Sequence, residues 1–442
     1  MKLNSAESLF SFIKNSPTCF HAVKNISDSL IENGFIRLSE SEKWSLEPGK
    51  KYFVTRNSSS VIAFVLPARD LSKIRPFHIS ASHSDSPCFK IKENPEISSC
   101  TGIVLNVEKY GGMLLAPWFD RPLSVAGRII VRTGDENTPL KEILVNIDHD
   151  LVLIPNLAIH FNREANDGRK IDVQNEIRPV LSMSENQKSG GKTDKSQDKI
   201  LLSLVAENAG VKPSEIISHD LFLYTRSEPS VWGAKEEFIS APRLDDLECA
   251  FTTLEGFLSA ASDGLSDGQI PVYCVFDNEE VGSSSRQGAD STFLSDTIER
   301  LAEKFDWTGE DLKISLSKSI MLSADNAHAV HPNYVSSSDP VNRPKLNGGI
   351  VIKYNAAQKY TTDALSSAFF KEVCRKTEVP FQVFTNNSNV AGGSTLGNIS
   401  QTHVSVPSVD IGLAQWAMHS PYESAGIKDI DYMISAIKGF YK

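Results

Sequence analysis

PVYCVFDNEEVGS, residues 271–283, runs through β-branched and aromatic side chains and then breaks into three carboxylates, Asp277, Glu279 and Glu280. Strand-like residues are suited to burial, whereas acids gathered at the mouth of a buried strand repel one another and lose hydration. Such a cluster persists where a cation, or a proton to be moved, offsets that cost. An acidic loop standing in open water is the alternative reading of this stretch taken alone.

Three other segments repeat the design of an apolar run followed by metal-competent side chains. PFHISASHSD (76–85) ends in His83 and Asp85, SIMLSADNAHAVHPN (319–333) carries Asp325, His328 and His331, and SVDIGLAQWAMHS (408–420) ends near His419. A fifth element, PRLDDLECAFTTLEGFLSAA (242–261), places Asp245 and Asp246 ahead of apolar residues at helical spacing. Aspartate is a good N-cap, so the pair is expected where a helix begins, and one of the two would serve only as a cap. Side chains that follow the carboxyl ends of strands in an open α/β sheet converge on one crevice. These distant segments are therefore expected to meet.

A chain of 442 residues is long enough for a large core and two domains. With 40% hydrophobic and 23% charged residues, and no apolar run approaching about twenty residues, it reads as soluble and globular, with no membrane as partner. The net charge of −10 argues against a nucleic-acid partner. Six cysteines show no CxxC pairing, and the amino terminus has no continuous apolar core of a signal peptide, so buried reduced thiols and a cytoplasmic location are expected.

Helix-and-strand alternation at both ends of the chain gives way to a β-rich middle. The expected fold is α/β, with a discontinuous catalytic domain over 1–92 and 234–442 interrupted by a β-rich insertion over 93–233 that acts as a lid or assembly element. The polar run 184–199 reads as a mobile surface loop.

A site of histidines and carboxylates suits zinc, manganese or cobalt, whereas calcium would take oxygen ligands only. A two-metal hydrolytic site needs a bridging carboxylate, terminal ligands and a free base. The adjacent Glu279 and Glu280 offer one ligand and one base. The His83-x-Asp85 spacing supplies a carboxylate able to fix the tautomer of a ligand imidazole. His328 and His331 read as ligands, substrate contacts or turn residues. GGSTLGN (392–398) lacks the lysine of a phosphate loop, and reads as a backbone wall around substrate or as a flexible turn.

Taken together, HSDSP (83–87), YGG (110–112), WFDRPLSVAGR (118–128), PRLDDL (242–247), DNEEVGS (277–283), SADNAHAVHPNY (323–334) and AMHS (417–420) resemble the aspartyl aminopeptidase family, which includes vacuolar aminopeptidase I. The resemblance covers essentially the whole chain in the expected order. It implies a three-layer αβα metallopeptidase domain interrupted by a β-rich dimerisation domain, two zinc ions per subunit, and a homo-oligomer, commonly a tetrahedral dodecamer. By motif, His83 and Asp325 would hold one zinc and Glu280 and His419 the other, with Asp245 bridging. Glu279 would be the general base and Asp85 would orient His83. His160 matches a histidine that reaches a neighbouring subunit's site, and His328 and Lys353 match positions near substrate, a peptide with a free amino terminus. Specificity for an amino-terminal Asp or Glu would then fall to Lys353. Asp246 departs from the family's usual Asn after the bridging Asp. The alternatives are a neutral, Leu-type aminopeptidase of the same family, a deacetylase or carboxypeptidase on a related dinuclear fold, and a scaffold that has lost its chemistry.

Overall fold

The computed structural model describes residues 2–183 and 199–442, so the polar run 184–199, apart from Lys199, lies outside the described residues. The chain divides into two compact units, one of Met1–Ser86, Pro229–Met418 and Glu423–Lys442, the other of Pro87–Glu228 with His419–Tyr422. The first boundary falls ahead of residue 92 because Cys88–Ser98 is one long strand that belongs whole to the second unit. The short piece His419–Tyr422 joins the second unit because Leu114 N–H donates to the His419 carbonyl at 3.0 Å.

The first unit is built on a nine-stranded sheet in the order Ile36–Leu38, Lys51–Arg56, Ser60–Val65, Ile270–Phe276, Phe77–His83, Ile320–Ala324, Ser408–Gly412, Ile350–Tyr354, Phe381–Thr385. The four strands from Ile270–Phe276 to Ser408–Gly412 run parallel. Ile270–Phe276 is buried at every position, as a central parallel strand covered on both faces must be. Side chains alternate across it. Val272, Cys274 and Phe276 join one apolar cluster with Phe293, Ile298 and Leu301 of the helix Phe293–Lys304. Tyr273 and Val275 join another with Leu254 and Phe257 of the helix Leu244–Asp263 and Met433 and Phe440 of the helix Ile427–Tyr441. Helices on both faces of one sheet make the three-layer αβα arrangement.

A second, five-stranded sheet in the same unit runs Ser230–Trp232, Phe238–Ala241, Glu423–Gly426, Ala414–Trp416, Ala327–His328. It ties the chain entering the helix Leu244–Asp263 to the carboxyl-terminal segment, since Ala241 pairs with Glu423.

The second unit is a six-stranded antiparallel sheet ordered Leu140–Asn146, Leu123–Arg132, Ile216–Thr225, Cys88–Ser98, Gly102–Tyr110, Val180–Met183. Phe89, Leu105, Val125, Ile129, Leu221 and Leu223 pack one face against Leu201 and Val205 of the helix Ile200–Ala209. Between the strands an ion-pair ladder joins Lys90 to Asp220 (2.9 Å), Asp220 to Arg128 (3.0 Å) and Arg128 to Glu142 (3.0 Å). Gly127, opposite Leu221 with φ +155°, has no room for a side chain, because a Cβ there would lie 2.0 Å from the Asp220 carbonyl oxygen. No helix among the described residues is long and apolar enough to cross a membrane.

Phe257 is fully buried between Tyr273 and Tyr441, with ring centroids 5.7 and 5.2 Å away. Phe257→Ala removes a whole ring from the layer that backs the parallel strands. We expect it to cost about 3–5 kcal/mol, read as a lowered denaturation midpoint in guanidinium chloride, with Phe257→Leu costing far less.

Candidate metal centre

The four parallel strands present their carboxyl ends along one edge of the sheet. In register, Phe276 lies beside His83 and Ala81 beside Ser323, so the residues that follow these strands emerge together. The strand Ile270–Phe276 stops at a tight turn in which Asn278 takes φ +62°, a left-handed conformation that Asn tolerates better than most residues. Asn278 Oδ1 accepts from Ser285 Oγ at 2.7 Å and Gln287 Nε2 at 2.8 Å, which pins that turn.

Asp85 organises both sides of the cluster. Its Oδ1 accepts the Glu279 N–H and its Oδ2 the Glu280 N–H, each at 3.2 Å. The same Oδ1 lies 3.3 Å from His83 Nδ1, and the Asp85 carbonyl oxygen 3.1 Å from it. With Nδ1 held this way, His83 turns Nε2 toward Asp245 Oδ1 at 3.6 Å, Asp246 Oδ2 at 3.9 Å and Asp325 Oδ1 at 3.9 Å.

Those separations are too long for hydrogen bonds. They are close to the roughly 3.4 Å between ligands that share one tetrahedral ion at bond lengths of about 2.1 Å. The ligand atoms of His83, Asp245, Asp246 and Asp325 all lie within 4.8 Å of one another, as do those of His83, Glu279 and Glu280. A nitrogen and several oxygens around one point suit zinc, manganese or cobalt, and the residues present fit such an ion.

Asp245 and Asp246 do not stand at an ordinary helix start. Both have non-helical backbone angles inside Leu244–Asp263, and the peptide between them is cis. Both side chains are buried in the cluster. Asp246 Oδ2 accepts the His83 backbone N–H at 3.2 Å, so one of its oxygens is engaged, and Asp245 approaches His83 Nε2 more closely. Of the pair, Asp245 is the better placed to meet an ion.

The electrostatics follow from gathering these groups away from water. Burial alone would push His83 down, but Asp246, Asp245 and Asp85 outweigh it and hold the ring well above the usual histidine range. Burial, against the opposing charge of His83, raises Asp246, with Asp325 and Asp245 adding to the rise. Burial likewise pushes Glu279 up to about 8, opposed by His83 and reinforced by Asp325 and Asp85. Glu280 is raised by burial and by the Asp245 charge. Asp277, the first carboxylate of the opening stretch, takes another course. It is buried, accepts the Asn278 N–H at 2.7 Å, and is pushed up to about 7 by burial and the Asp85 charge.

Lys353 sits differently from the sequence expectation. Its ammonium is buried and donates to the Asp325 carbonyl at 2.8 Å, Asp325 Oδ2 at 3.2 Å and the Asn326 carbonyl at 3.3 Å. Three donors meet three acceptors, so this cation balances and orients Asp325 rather than standing ready for a substrate side chain. The sequence signal was present in VIKYN, a lysine inside a strand of apolar residues, which marks a buried and hence paired ammonium.

His328 is exposed on its short strand, 6.0 Å by ring centroid from Phe384. His331 is half-buried and its Nδ1 accepts the Asn333 N–H at 3.1 Å, as a turn residue. His160 is exposed within the second unit. There too, His419 directs Nδ1 at the Gly112 carbonyl oxygen in a very short contact, which makes Nε2 the ring atom suited to meet an ion and assigns a purpose to the YGG motif. In GGSTLGN, Thr395 Oγ1 donates to the buried Asp410 at 2.6 Å and Ser394 Oγ to Asn398 Oδ1 at 2.7 Å, so that segment is tied down at its carboxyl-terminal half.

The family profile described as "Aminopeptidase I zinc metalloprotease (M18)" matches residues 12–441. The chain is 44% identical over 442 residues, all of this chain and 99% of the relative, to a "Probable M18 family aminopeptidase 2" of Clostridium acetobutylicum. Among solved structures it is similar to Ape4 in a complex with Nbr1, with TM-score 0.93 and 35% identity over 100% of this chain and 86% of that one. It is also similar to a subunit of the mApe1 dodecamer of S. cerevisiae, with TM-score 0.82 and 26% identity over 99% and 96% of the two chains.

Two expectations come from this geometry. With the metal stripped, Glu279 is raised toward about 8 from an unfolded value near 4.5, so the folded state holds the extra proton in between. That contribution is fully present below the unfolded value and is lost as pH rises through about 8. The melting temperature of chelated protein should therefore fall between pH 6 and 8.5 relative to that of zinc-loaded protein; an equal pH dependence in the two forms contradicts this. Second, Lys353→Met removes a charge-assisted contact worth about 1.5–3 kcal/mol, and should weaken zinc binding by roughly tenfold or more in a competition titration.

Proposed function

The chain belongs to the M18 family of aminopeptidase I zinc metalloproteases, and from that premise we propose that it uses two zinc ions to release single amino-terminal residues, Asp or Glu by preference, from peptides. It is an exopeptidase hydrolase by family. The observation that carries the catalytic reading is the buried Asp85 clamp, which holds a ligand histidine on one side and the Glu279–Glu280 turn on the other.

In this reading His83 and Asp325 hold one ion, Glu280 and His419 the other, and Asp245 bridges. Bound zinc would supply Lewis acidity toward the scissile carbonyl and lower the pKa of water. Glu279, raised toward neutrality by burial, takes the proton from the attacking water and returns it to the leaving amine. Asp85 keeps the His83 tautomer and the base in place without moving a proton itself. The peptide's free amino terminus is fixed beside the acidic ligands, which limits cleavage to one residue at a time. That a base and five ligand positions are all filled argues against a scaffold that has lost its chemistry.

The acidic preference rests on the resemblance of the motif series to the aspartyl branch. Because Lys353 is committed to Asp325 and the Asn326 carbonyl, a substrate carboxylate would have to compete with them for that ammonium. The Leu-type alternative therefore stays open as the second reading. The dodecamer of mApe1 supports a homo-oligomer for this chain, which we propose is a tetrahedral dodecamer held through the β-rich insertion, with the exposed His160 reaching a neighbour's site. The burial of Cys249, Cys274 and Cys374 in apolar surroundings fits reduced thiols, and supports the cytoplasmic location we propose.

The test is a panel of aminoacyl chromogenic substrates, with and without chelator, on wild type, Glu279→Gln and Glu280→Gln. Glu279→Gln should lose about 100-fold or more in kcat while keeping its zinc, whereas Glu280→Gln should lose zinc. Near-native turnover by Glu279→Gln rejects it as the base. Preference for Leu over Asp and Glu substrates rejects the acidic reading alone, and release from acetylated but not free peptides rejects the aminopeptidase in favour of a deacetylase.

A further inference from the structure

The Asp245–Asp246 segment is held through its backbone by buried side chains from three separate parts of the chain. The Asp245 N–H donates to Glu423 Oε2 at 2.9 Å. The Asp245 carbonyl accepts from Ser86 Oγ at 2.7 Å, and the Leu244 carbonyl from Asn326 Nδ2 at 2.9 Å. Glu423, Ser86 and Asn326 are all buried, and each neighbours a ligand-bearing segment: Ser86 follows Asp85, Asn326 follows Asp325, and Glu423 lies four residues beyond His419.

Of these, Glu423 is the least expected. A buried carboxylate is costly unless its acceptors are used, and one oxygen of this side chain accepts the backbone N–H of a metal-competent Asp. A neutral acceptor such as Ser or Asn would satisfy an N–H at far lower desolvation cost. Glu423 sits at the start of the strand Glu423–Gly426, and its Cα partner is Ala241, four residues before Asp245. The sheet thus fixes the carboxylate's root while the hydrogen bond fixes its tip, which sets the height of the Asp245 peptide against His83 and Asp325.

We propose that Glu423 is a positioning residue for the metal centre, acting through the Asp245 backbone, with Ser86 as its counterpart on the carbonyl side. It is not among the side chains whose ligand atoms gather within 4.8 Å of one another. The proposal rests on the metal-centre reading above, and it makes the affinity and ligand geometry of the centre depend on a side chain that supplies no ligand atom to it.

The test uses Co²⁺ as probe on the full-length protein, metal-stripped and titrated while the visible ligand-field band is followed. Glu423→Ala leaves the Asp245 N–H buried without its acceptor. It should lower Co²⁺ affinity by about 10- to 100-fold and shift the band, as loss of an outer partner of a metal ligand typically does. Glu423→Gln keeps an acceptor oxygen and should stay within about threefold of wild type in affinity, with an unshifted band. Ser86→Ala, a smaller change, should shift the band in the same manner and decides the matter should Glu423→Ala not fold. Wild-type affinity and an unshifted band in Glu423→Ala, or in Ser86→Ala where only that variant folds, overturn the proposal even if melting temperature drops. If the wild-type protein itself binds no Co²⁺, the metal-centre reading falls with it.

Discussion

Mutual repulsion among carboxylates that the fold forces out of water is the constraint on which the site depends. Asp245, Asp246, Asp325, Glu279 and Glu280 crowd around the His83 imidazole, whose one charge cannot neutralise them. Without an ion, protons must be taken up, which is why several of these groups are raised above their ordinary range. A divalent ion removes the repulsion and gives the buried oxygens a partner. The site therefore holds a strain that binding relieves, and the protein around it is arranged to keep that strain in place.

That arrangement lies in hydrogen bonds to backbone as much as in the ligands themselves. Asp85 accepts the two N–H groups of the Glu279–Glu280 turn while facing His83 Nδ1, so the base and a ligand cannot move independently of the imidazole. Lys353 secures Asp325 from behind, and Asn326 joins the segment carrying Asp325 to the segment carrying Asp245. Removal of any one of these leaves a buried polar group without its partner, which costs more than the hydrogen bond gained on folding. In each case a β-strand supplies the rigid root and a short loop supplies the functional tip, which places the chemistry on the least mobile part of the sheet.

Much of this was legible before any coordinates. The runs that end in His83, Asp325 and Glu279–Glu280 are the central parallel strands, because strands covered on both faces are built of apolar and small side chains, and their first carboxylates stand beyond the strand ends where that cover stops. The β-rich middle segment is a separate antiparallel unit for the complementary reason: strands such as GRIIVRT alternate. The Asp245–Asp246 pair does stand at the start of the helix Leu244–Asp263, as the sequence suggests, but with non-helical backbone angles that no local capping rule foretells, because the carboxylates answer to His83, 162 positions before Asp245.

The sequence by itself determined the inventory: which residue types could bind an ion, which segments were strands, and which family the motif series resembles. It could do so because burial and periodicity are written locally. Only the tertiary structure decided the partners. That Lys353 spends its charge on Asp325, that the Gly112 carbonyl takes the Nδ1 side of His419, and that Glu423 holds the Asp245 N–H are facts of distance between residues far apart along the chain. A side chain's charge can be read from its letter. The group that satisfies it depends on strand order and register, which no single segment contains.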